Sequence, residues 1–559
     1  MTIDPTYPEE NKFNTSKQGY QSVETVSIEV LAGKQALEAI AIPGFASKWD
    51  LLALRCPWGT VFQGRAFVST WYRLYAQRFE PIVVRAEHGG KLVGLLTMAK
   101  DIAPKAIQVA GAREAHYQVW LAEPEFGEAF IKQAITALRT RYAGYDINFY
   151  NSPPLTPLSW AKDDNVWRNY CTVRTFYRPL MDFRAEDIQD IFNSKHLRKR
   201  LNQLKKLGHV EFEHVTSQER FAEVLDILAD QYDFRKAAKY NWTEFRSDSL
   251  KKQFLLDLFK EGILHVTLLT LNNEIIASIT DTIGYNNWMH GTEIATHSCF
   301  HARYSPGILN FQLLAQQLAS KGYQVYDLTP GSDPYKARLS NAHDYVHGLY
   351  ITDSIKANFR NKVVEPLRLM TRHCLKYSGM PPKQVKDKLR QLQYYLRTAK
   401  PSSLLPRVLQ DRLSSPLKAV QPCLVSISPI KTTLYSDIKR HSLSDLLDYN
   451  PRNSRLNKWD FLSDAMCRLE AGELPYTLSQ NGSLLFCCWL SGHLPPAAQT
   501  TNLTLEEASI LHGFYSHAGS GGSLLEFTRN VAQHVIEKVI SHKIYAFSEE
   551  APVCRQLQG

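Results

Sequence analysis

Apolar residues follow helical and strand spacings in an order that outlines the architecture. Residues 26–31 alternate as a short strand, and 35–55 carry helical spacing interrupted by Pro43-Gly44. A helix is predicted at about 66–77. Strands follow at 81–85 and 92–98, and Gly89-Gly90 between them supplies the positive φ angles that a tight hairpin turn requires. Phe126, Phe130, Ile131, Ala134, Ile135 and Leu138 then define a helix over 126–142, before a strand at 145–150. The same order returns further on. Leu197, Leu201 and Leu204 stand at i, i+4 and i+7, with Gly208 placed to end the helix. A strand at 210–215, helices at 219–239 and 247–261, and a hairpin of 264–271 with 274–281 across Asn272-Asn273 come next. Then follow a strand at 288–292, a helix at 308–321 stopped by Gly322, and a strand at 323–328. Residues 355–395 are basic with helical spacing, and 401–422 are punctuated by Ser and Pro. The last part reads as a helix (455–471), a hairpin (476–490) turning at Asn481-Gly482, a Gly-rich loop, a long helix (523–541) and a strand (543–547).

This pattern predicts an α/β (α+β) fold of tandem units, each a mixed twisted sheet flanked by helices. The divisions are a disordered tail (1–24), a first unit (25–177), a second (178–352), a basic helical segment with linker (353–422) and a third unit (423–559). The third stops before the final strands such a unit needs, so it is degenerate, truncated or completed by something else. No residue-level repetition accompanies the repeated order.

A length of 559 residues accords with about three domains. No run of about 18 apolar residues marks a membrane span. The polar first 22 residues, with Asp4, Glu9 and Glu10, have no apolar core of a signal peptide, so a cytoplasmic location is expected. Nine cysteines without C-x-x-C spacing read as reduced thiols, and the adjacent Cys487 and Cys488 read as packing. The net charge of +10 is unevenly spread: 353–420 holds fifteen Lys/Arg against four Asp/Glu, and 193–208 holds six against none. The remainder is therefore slightly acidic. With no aromatic among its charges, the 195–206 helix offers no stacking platform for a single-stranded nucleic acid, and no DNA partner is expected. It reads as a solvated face or as a surface for a polyanion. His-Glu-x-x-His, Walker and Gly-x-Ser-x-Gly motifs are absent, so no metal site, P-loop or hydrolase elbow is expected.

Tyr304-Ser305-Pro306-Gly307 opens the helix at 308–321, and Gly331-Ser332-Asp333-Pro334-Tyr335-Lys336 follows the next strand. Pro presets φ at a helix start, Gly admits close backbone approach, and amides of a first helical turn attract anions. Alone, such a start is ordinary capping. Together with the Trp-Gly-Thr-Val-Phe-Gln run (58–63), Trp71 and the basic stretch 195–208, these motifs resemble the BcsL/CelD acetyltransferases of cellulose and exopolysaccharide synthesis. That family is related to FemABX transferases and has GNAT-like halves; the resemblance spans roughly 40–350. It departs from the family at Arg338-Leu339-Ser340, where a Trp is usual.

The resemblance implies an acyl-CoA-dependent acyltransferase, with acetyl-CoA or another acyl-CoA as co-substrate and a saccharide or other small-molecule cell-envelope acceptor. It places the pyrophosphate at Tyr304, Ser305, Pro306 and Gly307, with Lys336 on phosphate or an acidic sugar. Acid–base candidates are Asp333, Tyr335, His290 and Glu293. On an intact strand His290 and Glu293 fall on opposite faces, which favours a packed His290 over a His–Glu dyad. Gly519, Gly521 and Gly522 form a second candidate phosphate loop. Two rival readings remain: a non-catalytic GNAT-like scaffold docking a membrane or synthase complex through 353–420, and an aminoacyl-tRNA-dependent transferase.

Overall fold

The computed structural model describes residues 26–101, 106–331, 333–364, 423–428, 437–451, 456–491, 508–517, 523–538, 543–548 and 551–558. The expected tail, nearly all of the basic segment beyond Val364, and Gly519, Gly521 and Gly522 lie outside these residues.

One sheet carries β1 (Ile28–Ala32), β2 (Phe79–His88), β3 (Lys91–Asp101), β4 (Ala106–Val109), β5 (Leu121–Ala122), β6 (Asp146–Ser152), β7 (Cys171–Asp182), β8 (Val210–Val215), β9 (Leu264–Leu271), β10 (Glu274–Ile283), β11 (Trp288–His297), β12 (Val325–Asp327) and β13 (Ala342–Ile351). Its helices are α1 (Lys34–Ile40), α2 (Pro43–Arg55), α3 (Arg65–Tyr75), α4 (Gly127–Arg141), α5 (Ser159–Asp163), α6 (Ile188–Phe192), α7 (Lys195–Lys205), α8 (Gln218–Tyr240), α9 (Lys251–Lys260), α10 (Pro306–Ser320), α11 (Pro334–Leu339) and α12 (Ile355–Phe359). The fold is mixed α/β, as the pattern predicted. Its turns form where the sequence permits left-handed backbone: Gly89 and Gly90 have φ of 57° and 78°, Asn272 and Asn273 of 50° and 67°.

The strand order is β1-β2-β3-β4-β6-β13-β7-β12-β11-β10-β9-β8, with β5 on β3. Each half therefore runs from antiparallel strands into one parallel pair, β4 with β6 and β11 with β12. Beyond each parallel pair lies a strand from elsewhere in the chain. β13 lies against β6 and β7 against β12, while β7 and β13 pair with each other from Cys171↔Ile351 to Leu180↔Ala342. The halves thus exchange strands and share one sheet, and the boundary expected at 177/178 falls inside β7.

A second sheet holds β14 (Cys423–Ser426), β15 (Lys439–Arg440), β16 (Leu474–Gln480), β17 (Ser483–Ser491), β18 (Ala508–Ser516) and β19 (Lys543–Ser548), with α13 (Leu443–Leu447), α14 (Lys458–Glu470), α15 (Leu524–Lys538) and α16 (Ala551–Gln558). Here too β18 and β19 are parallel, and the strand beyond them, β14, comes from the start of the unit. This unit packs on α8. Trp459 Nε1 and Ser463 Oγ both donate to Ala238 O, at 3.0 and 2.7 Å, and Cys299 and Phe234 are buried with Leu446, Leu462 and Trp489. Cys487 and Cys488 lie buried on β17, where burial raises both thiol pKa values.

Several predicted elements differ in length, two of them for a visible reason. The strand expected at 288–292 runs to His297, because β11 bulges: Thr282 pairs with His290 but Thr280 with Ile294. The helix expected from 247 begins at Lys251. Before it, the Asp233 carboxylate accepts the N–H groups of Glu244, Phe245 and Arg246 and holds them in a loop.

A buried ion network ties the central strands together. Asp327 on β12 is fully buried. Its Oδ2 faces His290 Nδ1 at 2.9 Å and accepts from Arg178 Nη1 at 3.4 Å, while its Oδ1 accepts the Thr329 N–H at 2.7 Å. Arg178 on β7 also donates to Asp344 on β13 through Nε (2.7 Å) and Nη2 (2.5 Å). Burial works against the charge on Asp327, but Arg178 and His290 outweigh it and lower its pKa to about 2. A folded pKa below the ordinary value means that this carboxylate contributes stability above about pH 4 and loses it as the pH falls through about 2. Arg178→Met is expected to cost about 3–5 kcal/mol, since it leaves a buried carboxylate without its cation. In urea titrations the loss of stability that the wild type shows as the pH falls from about 4 towards 2 should shrink or disappear, because the Asp327 pKa rises to or above its unfolded value. An unchanged midpoint and an unchanged acid limb would contradict this account.

Candidate active site

The two parallel pairs have different fates beyond their last paired residues. In the first half, β4 and β6 pair only from Ala106↔Asp146 to Gln108↔Asn148. The gap beyond is filled by the chain itself. Gln118 N–H donates to Tyr150 O (2.9 Å), Tyr150 N–H to Gln118 Oε1 (3.1 Å) and Ser152 Oγ to Gln118 O (2.8 Å). Gln118 Nε2 is itself held by Ala112 O and Ala115 O. In the second half, β11 and β12 pair from Trp288↔Val325 to His290↔Asp327, and residues 291–297 have no partner on β12. No plug comparable to Gln118 occurs there among the described residues.

Three elements border this open gap. The first is the start of α10. Ser305 adopts a left-handed conformation (φ 56°), and its carbonyl accepts the N–H groups of Ile308 and Leu309. Pro306 has no N–H, so Gly307 alone in this turn keeps an amide without a backbone partner among the described residues. The several free amides expected at 304–307 thus reduce to one. A Cβ on Gly307 would lie 2.9 Å from His297 Nδ1, so a side chain here would crowd His297. Burial, followed by Arg235 and Lys239, lowers the His297 pKa to about 3 and keeps the ring neutral. Tyr304 turns away from the gap, packing against Leu201 and Leu309 with the Arg303 guanidinium 4.8 Å from its ring.

The second element is the C-terminal end of α8. Arg235 and Lys236 are half-buried and form no ion pair among the described residues, and Lys236 lies over the rings of Tyr232 and Tyr240. Burial lowers the pKa of both, as it does for cations without a matched anion. The sequence reading missed these residues. Their signal was a run of Arg235, Lys236 and Lys239 on a helix that also buries Phe234, Ala237 and Ala238.

The third is the loop after β12. Asp333 is the N-cap of α11, and Tyr335 on its first turn stands 5.7 Å from Phe311. Burial, then Asp333 and Asp281, raise the Tyr335 pKa to about 12, so the phenol keeps its proton at neutral pH. Lys336 is buried and turned inward. Its ammonium donates to Thr329 O (3.0 Å), Thr329 Oγ1 (2.9 Å) and Pro330 O (3.4 Å), bracing a loop in which Thr329 holds φ at 63°. Geometry makes Lys336 a positioning residue.

His290 and Glu293 do not meet. His290 is packed among Phe62, Tyr117 and Trp288 and bonded to Asp327. Glu293, in the β11 bulge, binds Lys251 Nζ through Oε2 (2.8 Å), and its Oε1 is buried without a partner. Lys251 also contacts Glu114, from the first half, and Glu244 (3.5 Å). Three carboxylates around one ammonium leave negative charge in excess. Burial, offset in part by Lys251 and reinforced by Glu293, raises the Glu114 pKa. His116 nearby is lowered to about 4, chiefly by burial, and is neutral at pH 7.

These elements, closed in one half and open in the other, coincide with what comparison finds. Residues 193–337 match the acetyltransferase (GNAT) domain family. The matched span holds the open gap, α8 and the β12–α11 loop, and leaves out the plugged half. No curated protein matches the sequence. Among solved structures, FemX is similar at 11% identity over 56% of this chain and 97% of its own (TM-score 0.41). The C-terminal domain of a putative lysylphosphatidylglycerol synthetase from Agrobacterium fabrum is similar at 14% over 59% and 95% (0.38). A tandem GNAT protein from the clavulanic acid biosynthesis pathway is similar at 11% over 58% and 98% (0.35). Among the described residues no helix is long and apolar enough to cross a membrane.

If Lys336 braces the loop of the GNAT region, Lys336→Met frees three acceptors and should destabilise by about 1–3 kcal/mol. Hydrogen exchange should accelerate at 328–331 while β1–β3 stay protected. Equal acceleration in both regions would refute the bracing role.

Proposed function

We propose that the chain is an acyl-CoA-dependent N- or O-acyltransferase whose thioester enters between β11 and β12. The observation that carries this reading is the early parting of β11 and β12 in the GNAT-matched region, beside two cations that form no ion pair among the described residues, set against the plugged parting of the first half. Residues for the co-substrate fit an anion. Arg235, Lys236 and the Gly307 amide would hold its phosphates, with His297 beside them. When bound, the thioester supplies an activated acyl carbon.

This chain's residues then handle two protons. Glu114, its pKa raised, or neutral His116 takes the proton of the acceptor O–H or N–H as the acceptor's lone pair attacks the acyl carbon. The C–S bond breaks, and Tyr335 passes its proton to the departing sulfur. Asp333 occupies the N-cap position of the helix that carries Tyr335, and Lys336 sets the loop. His290 and Asp327 fix the point where β11 and β12 part, and Glu293 with Lys251 fixes Glu114.

The resemblance to BcsL/CelD enzymes supports an exopolysaccharide, cellulose-related or other cell-envelope acceptor. The charge balance of the 353–420 segment, fifteen Lys/Arg against four Asp/Glu, supports a peripheral contact with a membrane or synthase. One observation favours a second reading. The outer face of α7 carries Lys195, Arg198, Lys199 and Lys206 around a 380 Å³ concavity, none ion-paired among the described residues, which suits the phosphates of an aminoacyl-tRNA donor.

Calorimetric titration with coenzyme A separates the two. One site per chain is expected, weakened about 10- to 100-fold in Arg235→Ala and abolished in Gly307→Trp with the fold intact. Tyr335→Phe should lower kcat about 100-fold with KM for the acyl donor little changed. Absence of coenzyme A binding with retention of aminoacyl-tRNA would replace the first reading by the second.

A further inference from the structure

The plugged half is not inert surface. Beside Gln118, on the sheet face that also carries Arg178 and Asp344, two cavities of 360 and 380 Å³ lie back to back. Both are within the size of small-molecule clefts, ~300–1,000 Å³. They share Tyr150 and Tyr350, whose rings meet edge to face at 5.8 Å. The first cavity adds the ring of Phe176 and the polar side chains of Gln108 and Asn151, and contains no carboxylate. The second holds Arg174 and Arg360 with Asp146 as its one acid among the described residues. Arg174 stacks over Tyr350 at 4.7 Å and gives one Nη to Asn361, yet its Nε is buried without a partner. Asp146 makes no ion pair with either arginine among the described residues.

These walls select a chemistry. Ring faces with amide and guanidinium groups at their edges suit a flat polar molecule whose apolar C–H face lies on the rings and whose hydroxyls bond to the amides. Arginines unmatched by carboxylate at one end add a fork for a planar or tetrahedral anion. A wholly apolar ligand would strand the amides, and a bare anion would leave the rings unused. The first cavity also reaches one of the two proposed bases: it is lined by Arg113 and by His116, two residues from Glu114.

We propose that these paired cavities bind a saccharide bearing a carboxylate or phosphate, its sugar rings against Tyr150 and Phe176 and its anion at Arg174 and Arg360. The site presents the sugar's free end to Glu114 and His116. Its role as the acceptor site rests on the transferase reading; the binding itself does not.

Full-length protein is titrated with a glucuronic acid disaccharide, glucose 1-phosphate and a neutral glucose disaccharide. At least one anionic sugar should bind at least tenfold more tightly than the neutral one. Which of the two binds better tells a uronate from a phosphosugar. Arg174→Met should erase that preference and Tyr150→Ala should weaken all three about tenfold, whereas Tyr150→Phe, which keeps the ring, should retain binding. Coenzyme A affinity should stay at the wild-type value throughout. Neutral and anionic sugars binding alike, no sugar binding to the folded wild type, or an unchanged Arg174→Met would overturn the proposal. Sugar binding without coenzyme A binding would sustain it and overturn the transferase reading instead.

Discussion

A carboxylate sealed from water at the middle of a sheet must find its counter-charge within the protein or give up its charge. Asp327 keeps the charge because Arg178 reaches it from β7 and His290 from β11, while Arg178 is held in turn by Asp344 on β13. Those four strands come from two distant parts of the chain, 171–182 and 288–351. Their meeting depends on the exchange of β7 and β13 between the halves, since neither half alone brings Arg178 beside Asp327. The network in turn pins the last paired residues of β11 and β12, and so decides where those strands part.

The parting is what separates the two halves chemically. Both have a parallel pair that ends early, and the backbone groups beyond it need partners. The first half finds them in Gln118, whose amide and peptide groups complete β6. The second half carries a bulge in β11 and, among the described residues, no plug, and its borders gather cations on α8 and a tyrosine of raised pKa on α11. One architecture thus yields a filled parting beside two cavities and an unfilled parting beside two cations. The carboxylate cluster around Lys251 joins Glu114 of one half to Glu293 of the other across this divide.

Much of the fold was legible because its signals are local. Gly89-Gly90 and Asn272-Asn273 mark hairpins through the φ angles they tolerate, and the spacing of Phe130, Ile131, Ala134 and Leu138 marks a helix whatever it packs against. The site was legible only in part. Tyr335 and Gly307 stand near the parting of β11 and β12, whereas Lys336 turns inward, Tyr304 turns away and His290 is packed. Arg235, Lys236, Glu114 and His116 carried no motif, because their roles arise from neighbours more than fifty residues away in sequence.

The sequence by itself determined most of the kinds of element, their order and the residues able to cap and turn, since those depend on spacing and on backbone sterics of adjacent residues. Tertiary structure alone decided that β7 and β13 cross between halves, that β14 completes the last sheet from its near side, and which parallel pair stays open. Strand partnership and burial depend on what stands across a 5 Å gap, and nothing in the spacing along one chain segment records which distant segment will stand there.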